Sequence, residues 1–187
     1  MSKGIIIFAQ NNEYVNYAEQ ACACAGYARK NLSLFDEICL ITNTDTLKPN
    51  EKLINEYFDR VIVNDSFQPD NVRLFKDTVD KLEYAPFKNM GRSDVYELSP
   101  YDETLVIDAD YFIMNDILDQ VWDSENDVMI NCKYRDVSGR HKENIEYLDN
   151  FSIPMYWATV FYFKKSDFAE NLFTLISHIK YNYKYYY

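Results

Sequence analysis

Residues 96–122 read YELSPYDETLVIDADYFIMNDILDQVW, and the expected fold is inferred first from these residues. The apolar run Thr104–Ile107 predicts a buried strand that leads directly into an Asp-x-Asp motif, Asp108 and Asp110, and then into a second apolar run, Phe112–Met114. In an extended segment, side chains two residues apart point to the same face. Ionised carboxylates rarely end a buried strand unless a cation meets them, and their oxygens suit Mg²⁺ or Mn²⁺. Because Asp-x-Asp alone is a common pattern, the apolar context carries the prediction of a metal site.

Strands and helices alternate along the rest of the chain. Strands are predicted at residues 4–9, 37–42, 60–63, 104–107, 127–132 and 159–164. Helices are predicted at residues 13–30, 50–57, 88–98 and from about 167, with one helical stretch around 72–82 in an otherwise polar segment. Asn12 is the expected N-cap of the first helix, and the last helix shows no polar stop before the chain ends. This order predicts a single α/β domain over residues 1–187, with a mostly parallel sheet flanked by helices.

Polar residues follow three of the predicted strands. In parallel α/β sheets, ligands bind beyond the carboxyl ends of the strands. We therefore expect three pairs to converge on one edge of the sheet: Asn11 and Asn12, Asn43 and Asp45, Asp108 and Asp110.

Composition narrows the function classes. The formal net charge of -11 disfavours a protein whose main partner is DNA or RNA. Cys22 and Cys24 form a C-x-C without a second pair at zinc spacing, so the four cysteines are expected to be small buried thiols in a reduced compartment. Residues 1–10 lack the features of a signal peptide, and no run approaches the roughly 20 apolar residues of a membrane span. A cytoplasmic protein is expected.

The stretch 96–122 resembles the segment around the Asp-x-Asp of family 8 retaining glycosyltransferases, which include glycogenin and bacterial lipopolysaccharide galactosyltransferases. Agreement extends to IIIFAQNNEYVNYAEQA (5–21), EICLIT (37–42) and FDRVIVND (58–65), and covers most of residues 4–166. The chain is also similar in style to glycosyltransferase-like proteins of large tailed phages, which would place it in the host cytoplasm. The resemblance implies the GT-A fold, which is the Rossmann-like fold of nucleotide-diphospho-sugar transferases, and transfer of a sugar from a nucleotide-sugar donor, a UDP-sugar, to an unknown acceptor.

The resemblance also implies residue roles at the donor site. Asp108 and Asp110 would bind Mn²⁺ or Mg²⁺, which in turn holds the donor diphosphate, and Asp108 would also reach the ribose. Tyr14 would stack on the uracil with Asn12 nearby. The alternative for Tyr14 is an aromatic ring packed on the sheet, because stacking and core surfaces look alike in sequence.

Three further residues carry implied roles with open alternatives. Arg92 matches the basic residue that lies near diphosphate and sugar in the family, although a solvated arginine on a helix face fits equally. Lys88, one helical turn earlier, is the second candidate for that role. Trp157 stands where the family carries an Asn-x-Gly stretch, and it could contact a sugar ring or fill the core.

The departures from the family leave other functions open. Neither His141 nor His178 matches the third metal ligand of the family, which comes from a later segment, so the chain is expected to lack a C-terminal segment. A catalytically impaired nucleotide-binding or scaffold protein with the same fold is therefore the main alternative. A nucleotidyltransferase is a weaker one, since the chain contains neither G-x-x-x-x-G-K-[ST] nor G-x-G-x-x-G. A plain structural α/β domain is a third.

Overall fold

A computed structural model of the chain describes residues 1–66, 72–76, 82–86, 89–132, 156–182 and 185. Within these ranges the strands are β1 Lys3–Phe8, β2 Glu37–Thr42, β3 Arg60–Val63, β4 Val72–Lys76, β5 Leu82–Pro86, β6 Glu103–Asp108, β7 Val128–Asn131 and β8 Trp157–Lys164. The α-helices are α1 Tyr17–Asn31, α2 Thr44–Tyr57, α3 Val95–Leu98 and α4 Asp167–Tyr181. Two 3₁₀ helices span Asn89–Asp94 and Ile117–Asp123. The expected α/β architecture is confirmed.

Six of the strands form one mixed sheet in the order β3-β2-β1-β6-β8-β7. The first four run parallel, whereas β8 is antiparallel to β6 and β7 is antiparallel to β8. The carboxyl ends of β1, β2 and β6 therefore meet at one edge, and the amino end of β8 lies at the same edge, beside the end of β6. This is the edge at which the polar pairs are predicted to converge.

The sheet is covered on both faces, as continuous apolar strands require. Ile5 and Ile7 of β1 belong to the core beneath α1, whereas Ile6 belongs to the core of the opposite face, which includes Phe173 of α4. The side of α1 that faces the sheet consists of small buried residues: Ala18, Ala21, Cys22, Ala25 and Ala28. Small side chains let this helix approach β1 and β6 closely, so the β1–α1 loop is held near the carboxyl edge.

Several predicted elements differ from the structure. Residues 72–76 and 82–86 form an antiparallel pair of strands, β4 and β5, and not a helical stretch. The predicted helix 88–98 is a 3₁₀ helix followed by a single α-helical turn, α3. Helix α2 begins at Thr44, six residues before the prediction, because Asn43 caps it by accepting a hydrogen bond from Thr46 N at 3.0 Å.

The ends of two helices also differ from the prediction. Helix α1 is capped by Asn16 and not by Asn12, whose side chain is used in the preceding turn. Helix α4 ends at Tyr181, where Asn182 is the C-cap and its backbone N–H donates to His178 O. The polar stop that the sequence seemed to lack is therefore this asparagine.

Two further expectations concern the burial of the cysteines and the absence of a membrane span. Cys22, Cys24 and Cys39 are free and buried, as expected, but Cys132 is exposed. None of the helices that the structure describes is long and apolar enough to cross a membrane.

Candidate active site

The carboxyl end of the central strand β6 places Asp108 at the edge of the sheet. The backbone turns immediately after it, and Tyr111 N donates to Asp108 O at 3.1 Å. Asp108 retains 15% side-chain exposure, whereas Asp110, in the turn, is exposed. The two carboxylates therefore do not share one extended segment as predicted, because the strand ends at the first of them.

Arg92 is the cation that meets Asp108. Its Nη2 forms an ion pair with Asp108 Oδ1, and its Nη1 donates to Ala158 O of β8 at 3.2 Å. The arginine side chain is only 20% exposed, so the solvated alternative is wrong. Burial lowers the pKa of Arg92, and the carboxylate of Asp110 acts in the opposite direction. The pKa of an arginine is high enough for the guanidinium to remain charged.

One nitrogen of the guanidinium has no hydrogen-bond acceptor. Nε of Arg92 is buried and finds no acceptor among the described residues. A buried N–H without a partner is unfavourable, so an acceptor brought by a ligand would be stabilised at this position. An anion such as phosphate supplies acceptors of this kind.

The segment that carries Arg92 is anchored from α4. Lys180 Nζ contacts both carboxylate oxygens of Asp94, at 2.9 and 3.0 Å, and both side chains are largely buried. Asp94 ends the same 3₁₀ helix that contains Arg92. The last helix of the described chain therefore holds the arginine segment against the sheet.

The β1–α1 loop is shaped by two asparagines. Asn12 Oδ1 accepts from the backbone N–H groups of Tyr14 and Val15, each at 2.8 Å. Asn11 Oδ1 accepts from Ala18 N at 2.9 Å, and Asn11 N donates to Thr46 Oγ1 at 2.8 Å. Such local bonds fix the turn, so Asn12 serves to position Tyr14.

Two aromatic residues lie at the carboxyl edge: Tyr14, which projects into solvent, and Trp157, which is partly exposed. The exposed fraction is 90% for Tyr14 and 40% for Trp157, so neither ring is packed in the core. An exposed aromatic ring in a fixed turn offers a stacking surface for a base or a sugar. Trp157 is adjacent to Ala158, whose carbonyl accepts from Arg92, and so lies next to the ion pair.

The third polar pair, Asn43 and Asp45, lies at the end of β2. Asn43 caps α2 and Asp45 is exposed in its first turn. Nearby, Asp65 accepts from Thr44 N and Thr44 Oγ1, which lowers the pKa of that carboxyl. The polar groups that follow β2 are therefore used to stabilise the loops and to cap α2.

Asp108 and Asp110 suit a hard divalent ion that keeps water and substrate phosphate in its shell, because such ions need only one or two carboxylates from the protein. Among the described residues no group of three or more His, Cys, Asp or Glu side chains could hold a metal ion. Lys88 and His141 lie outside the described residues. His178 lies near the end of α4, where it bonds with Asn182.

The comparisons with known proteins concern the fold. No protein-family model matches the chain, and no curated protein matches it. Among solved structures, it is similar to mouse xyloside xylosyltransferase 1, with a TM-score of 0.56, 11% identity and coverage of 92% of this chain and 72% of that one. It is also similar to the bifunctional glycosyltransferase WbbM, with a TM-score of 0.55, 14% identity and 92% of this chain covered. The galactosyltransferase LgtC, solved with donor and acceptor sugar analogs, gives a TM-score of 0.50 and 14% identity over 86% of this chain.

The chain has the GT-A fold. At this identity the likeness shows the fold alone, and the chain spans 33% of the length of WbbM and 57% of LgtC. Within the GT-A fold the Asp-x-Asp lies at the carboxyl edge of the parallel strands, where ligands of α/β sheets bind. The sequence could locate the Asp-x-Asp but gave no signal for the contacts of Arg92 with Asp108 and Ala158, or for the support from Lys180.

Proposed function

We propose that this protein is a metal-dependent glycosyltransferase that transfers a sugar from a UDP-sugar donor to an acceptor with retention of the anomeric configuration. The single observation that carries the proposal is the position of Asp108. Its carboxylate lies at the end of a central strand of the GT-A sheet, at the carboxyl edge. It is paired with the guanidinium of Arg92, whose buried Nε has no acceptor among the described residues. An anionic donor and a divalent ion together match these charges.

The carboxylates of Asp108 and Asp110 would hold Mn²⁺ or Mg²⁺, and Asp108 would also accept from the ribose. Tyr14, fixed by Asn12, would stack on the uracil, because its ring is exposed and its backbone is held by the turn. The exposed ring of Trp157 would contact the donor sugar or the acceptor.

In the reaction, the bond from the anomeric carbon to the diphosphate oxygen breaks and a bond to an acceptor oxygen forms. A bound divalent ion would supply Lewis-acid stabilisation of the charge on the leaving diphosphate. Arg92 would donate charge-assisted hydrogen bonds to the same diphosphate, with its unused Nε among the donors. Because the protein carries a net charge of -11, these local cations are needed to admit an anionic donor.

The test is calorimetric titration of UDP into the protein with and without Mn²⁺. We expect binding that requires Mn²⁺ in the wild type and is lost in Asp108→Asn and in Asp110→Asn. Asp123→Asn is the matched control for Asp110→Asn, because Asp123 is an exposed carboxylate too. It lies next to Ser124, whose carbonyl accepts from Lys164 at the opposite edge of the sheet. Binding that is unchanged by either site substitution would overturn the donor-site assignment.

Hydrolysis of UDP-sugars then separates an enzyme from a binding protein. Release of UDP from one sugar nucleotide, dependent on Mn²⁺ and on Asp110, is the result expected for a glycosyltransferase. Binding of UDP without any release from a panel of UDP-sugars would support the alternative, a catalytically impaired nucleotide-binding or scaffold protein.

A further inference from the structure

In the structure, the carboxylate proposed to hold a metal ion is already paired. Arg92 contacts Asp108 from one side and is tied to Ala158 O from the other, so that it bridges β6 and β8 at the carboxyl edge. Both members of the ion pair are mostly buried, at 20% and 15% side-chain exposure. Ion pairs screened from water interact strongly, so this contact is a substantial part of the electrostatics of Asp108.

A divalent ion that arrives alone meets an unfavourable arrangement. It must share or take the carboxylate of Asp108, and it is then repelled by the nearby guanidinium, which cannot lose its proton. Moving the guanidinium away would leave a buried cation without its partner, which is also unfavourable. The exposed carboxylate of Asp110 also favours the charged form of Arg92, so the guanidinium stays positive beside Asp108.

An anionic ligand removes the difficulty. A diphosphate next to Arg92 offers acceptors to the guanidinium, including the Nε–H that has no acceptor among the described residues. The arginine then keeps a partner after it releases Asp108.

We propose that Arg92 is an exchangeable counter-ion of Asp108: it opposes a divalent ion that binds alone and, when a nucleoside diphosphate binds, passes to the phosphates and frees the carboxylate for the ion. This inference rests on the proposed function for the identity of the ligands. Its consequence is that metal and nucleotide bind synergistically. By thermodynamic reciprocity, UDP raises the affinity for Mn²⁺ by the same factor as Mn²⁺ raises the affinity for UDP.

The first experiment measures Mn²⁺ alone, from the electron paramagnetic resonance signal of the free ion. Arg92→Gln removes the positive charge but keeps an amide that can donate to Ala158 O. We expect this variant to bind Mn²⁺ at least about tenfold more tightly than the wild type in the absence of nucleotide. Arg92→Lys retains the charge and should remain close to the wild type.

The control for net charge is Arg29→Gln. Arg29 also pairs with a carboxylate, Asp59, at 2.7 Å, but the pair is more exposed and joins α1 to the residue before β3, away from the site. This variant loses the same positive charge and should leave the affinity for Mn²⁺ unchanged. An equal gain in Arg29→Gln and Arg92→Gln would show that net charge alone is responsible, and would overturn the proposal.

The second experiment adds UDP. In the wild type we expect UDP to tighten Mn²⁺ binding strongly, and in Arg92→Gln we expect that factor to fall at least about tenfold. If Arg92→Gln binds UDP more weakly but Mn²⁺ alone as poorly as the wild type does, Arg92 is only a phosphate ligand and the exchange is refuted. UDP binding to the wild type that is independent of Mn²⁺ would refute it too, since Arg92 would then replace the metal.

The two proposals can fail separately. If the wild type binds no UDP with Mn²⁺ present, the proposed function fails, whereas the comparison of Mn²⁺ alone still reports whether Arg92 opposes a cation at Asp108. Should Arg92→Gln not fold, as judged by circular dichroism, the arginine Nε–H resonance of the wild type provides the measurement. That resonance should shift when UDP and diamagnetic Mg²⁺ are added together, and an unchanged resonance at saturation would overturn the exchange.

Discussion

The packing of the Tyr101 ring against Gly4 can be tested by adding a single methyl group at Gly4. A Cβ added at Gly4 of β1 would stand 2.2 Å from Cδ2 and Cε2 of the Tyr101 ring and 2.5 Å from Cγ. The ring has little freedom to move, because it is 4% exposed and its hydroxyl donates to Glu37 Oε2 at 3.2 Å. β1 cannot shift either, since it is bonded on both sides, to β2 and to β6.

We expect Gly4→Ala to lower the free energy of unfolding by about 3 kcal/mol, the upper part of the usual range for overpacking. The gain of up to about 1 kcal/mol from replacing a strand glycine does not offset a clash of this depth. For a chain of this size the midpoint of thermal unfolding should fall by about 9 °C.

Gly26→Ala is the matched control, because the same methyl group enters a different environment. At Gly26 of α1 the added Cβ would meet Tyr57 Cε1 at 3.4 Å, an ordinary van der Waals contact. Alanine is also the better helix former, so the variant should be more stable by up to about 1 kcal/mol. Urea unfolding followed by circular dichroism gives both values. A Gly4→Ala variant as stable as the wild type, or an equal loss in both variants, would refute the packing described for β1.

Three further predictions concern the site, its support and the buried thiols. Tyr14→Ala should weaken Mn²⁺-dependent UDP binding by on the order of tenfold, and Tyr14→Phe should bind UDP as the wild type does. The free energy of unfolding should not change in Tyr14→Ala, because the ring is 90% exposed. Equal UDP binding by the wild type and both variants would exclude stacking. Lys180→Met should lower the free energy of unfolding, measured by urea titration, by about 1–2 kcal/mol, because it leaves the partly buried Asp94 without its cation. Adding Asp94→Asn to this variant should recover part of the loss. Burial raises the pKa of the Cys39 thiol from 9.0 to about 12, so stability present below about pH 9 should decline as the pH rises toward 12. Under reducing conditions, the free energy of unfolding should fall less with rising pH in Cys39→Ala than in the wild type. Equal falls in the two proteins would contradict this.

The parts of the fold predicted from sequence are those in which a local pattern has one interpretation. The apolar run before Asp108 gave β6, and the small residues of α1 gave the helix face that contacts the sheet. Residues 72–76 and 82–86 show the limit, because short stretches of mixed apolar and polar residues fit a strand or a helix equally well. The predicted N-cap, Asn12, was wrong, because an asparagine side chain can form either a turn or a helix cap, and here Asn12 forms the turn while Asn16 caps α1.

The sequence predicted which strand ends carry the polar residues of the candidate site, but not which charged residues pair with one another. Arg92 and Asp108 are 16 positions apart, and Lys180 and Asp94 are 86 positions apart, so only the tertiary fold brings each pair together. No periodicity in the sequence reports such contacts. The exposure of Tyr14 likewise follows from the turn that Asn12 stabilises, and stacking and core aromatics cannot be told apart before that turn is known.

Asp108 and Asp110 are proposed to bind the metal ion of a nucleotide donor at the carboxyl edge of β6. The most direct measurement is a crystal structure of the protein grown with UDP and Mn²⁺, with anomalous diffraction data that locate manganese. We expect one anomalous peak in contact with both carboxylates, UDP phosphate oxygens on the same ion, and Arg92 turned from Asp108 to the diphosphate. A peak bound elsewhere, or UDP bound at this edge with no manganese and with the Arg92–Asp108 pair intact, would contradict it.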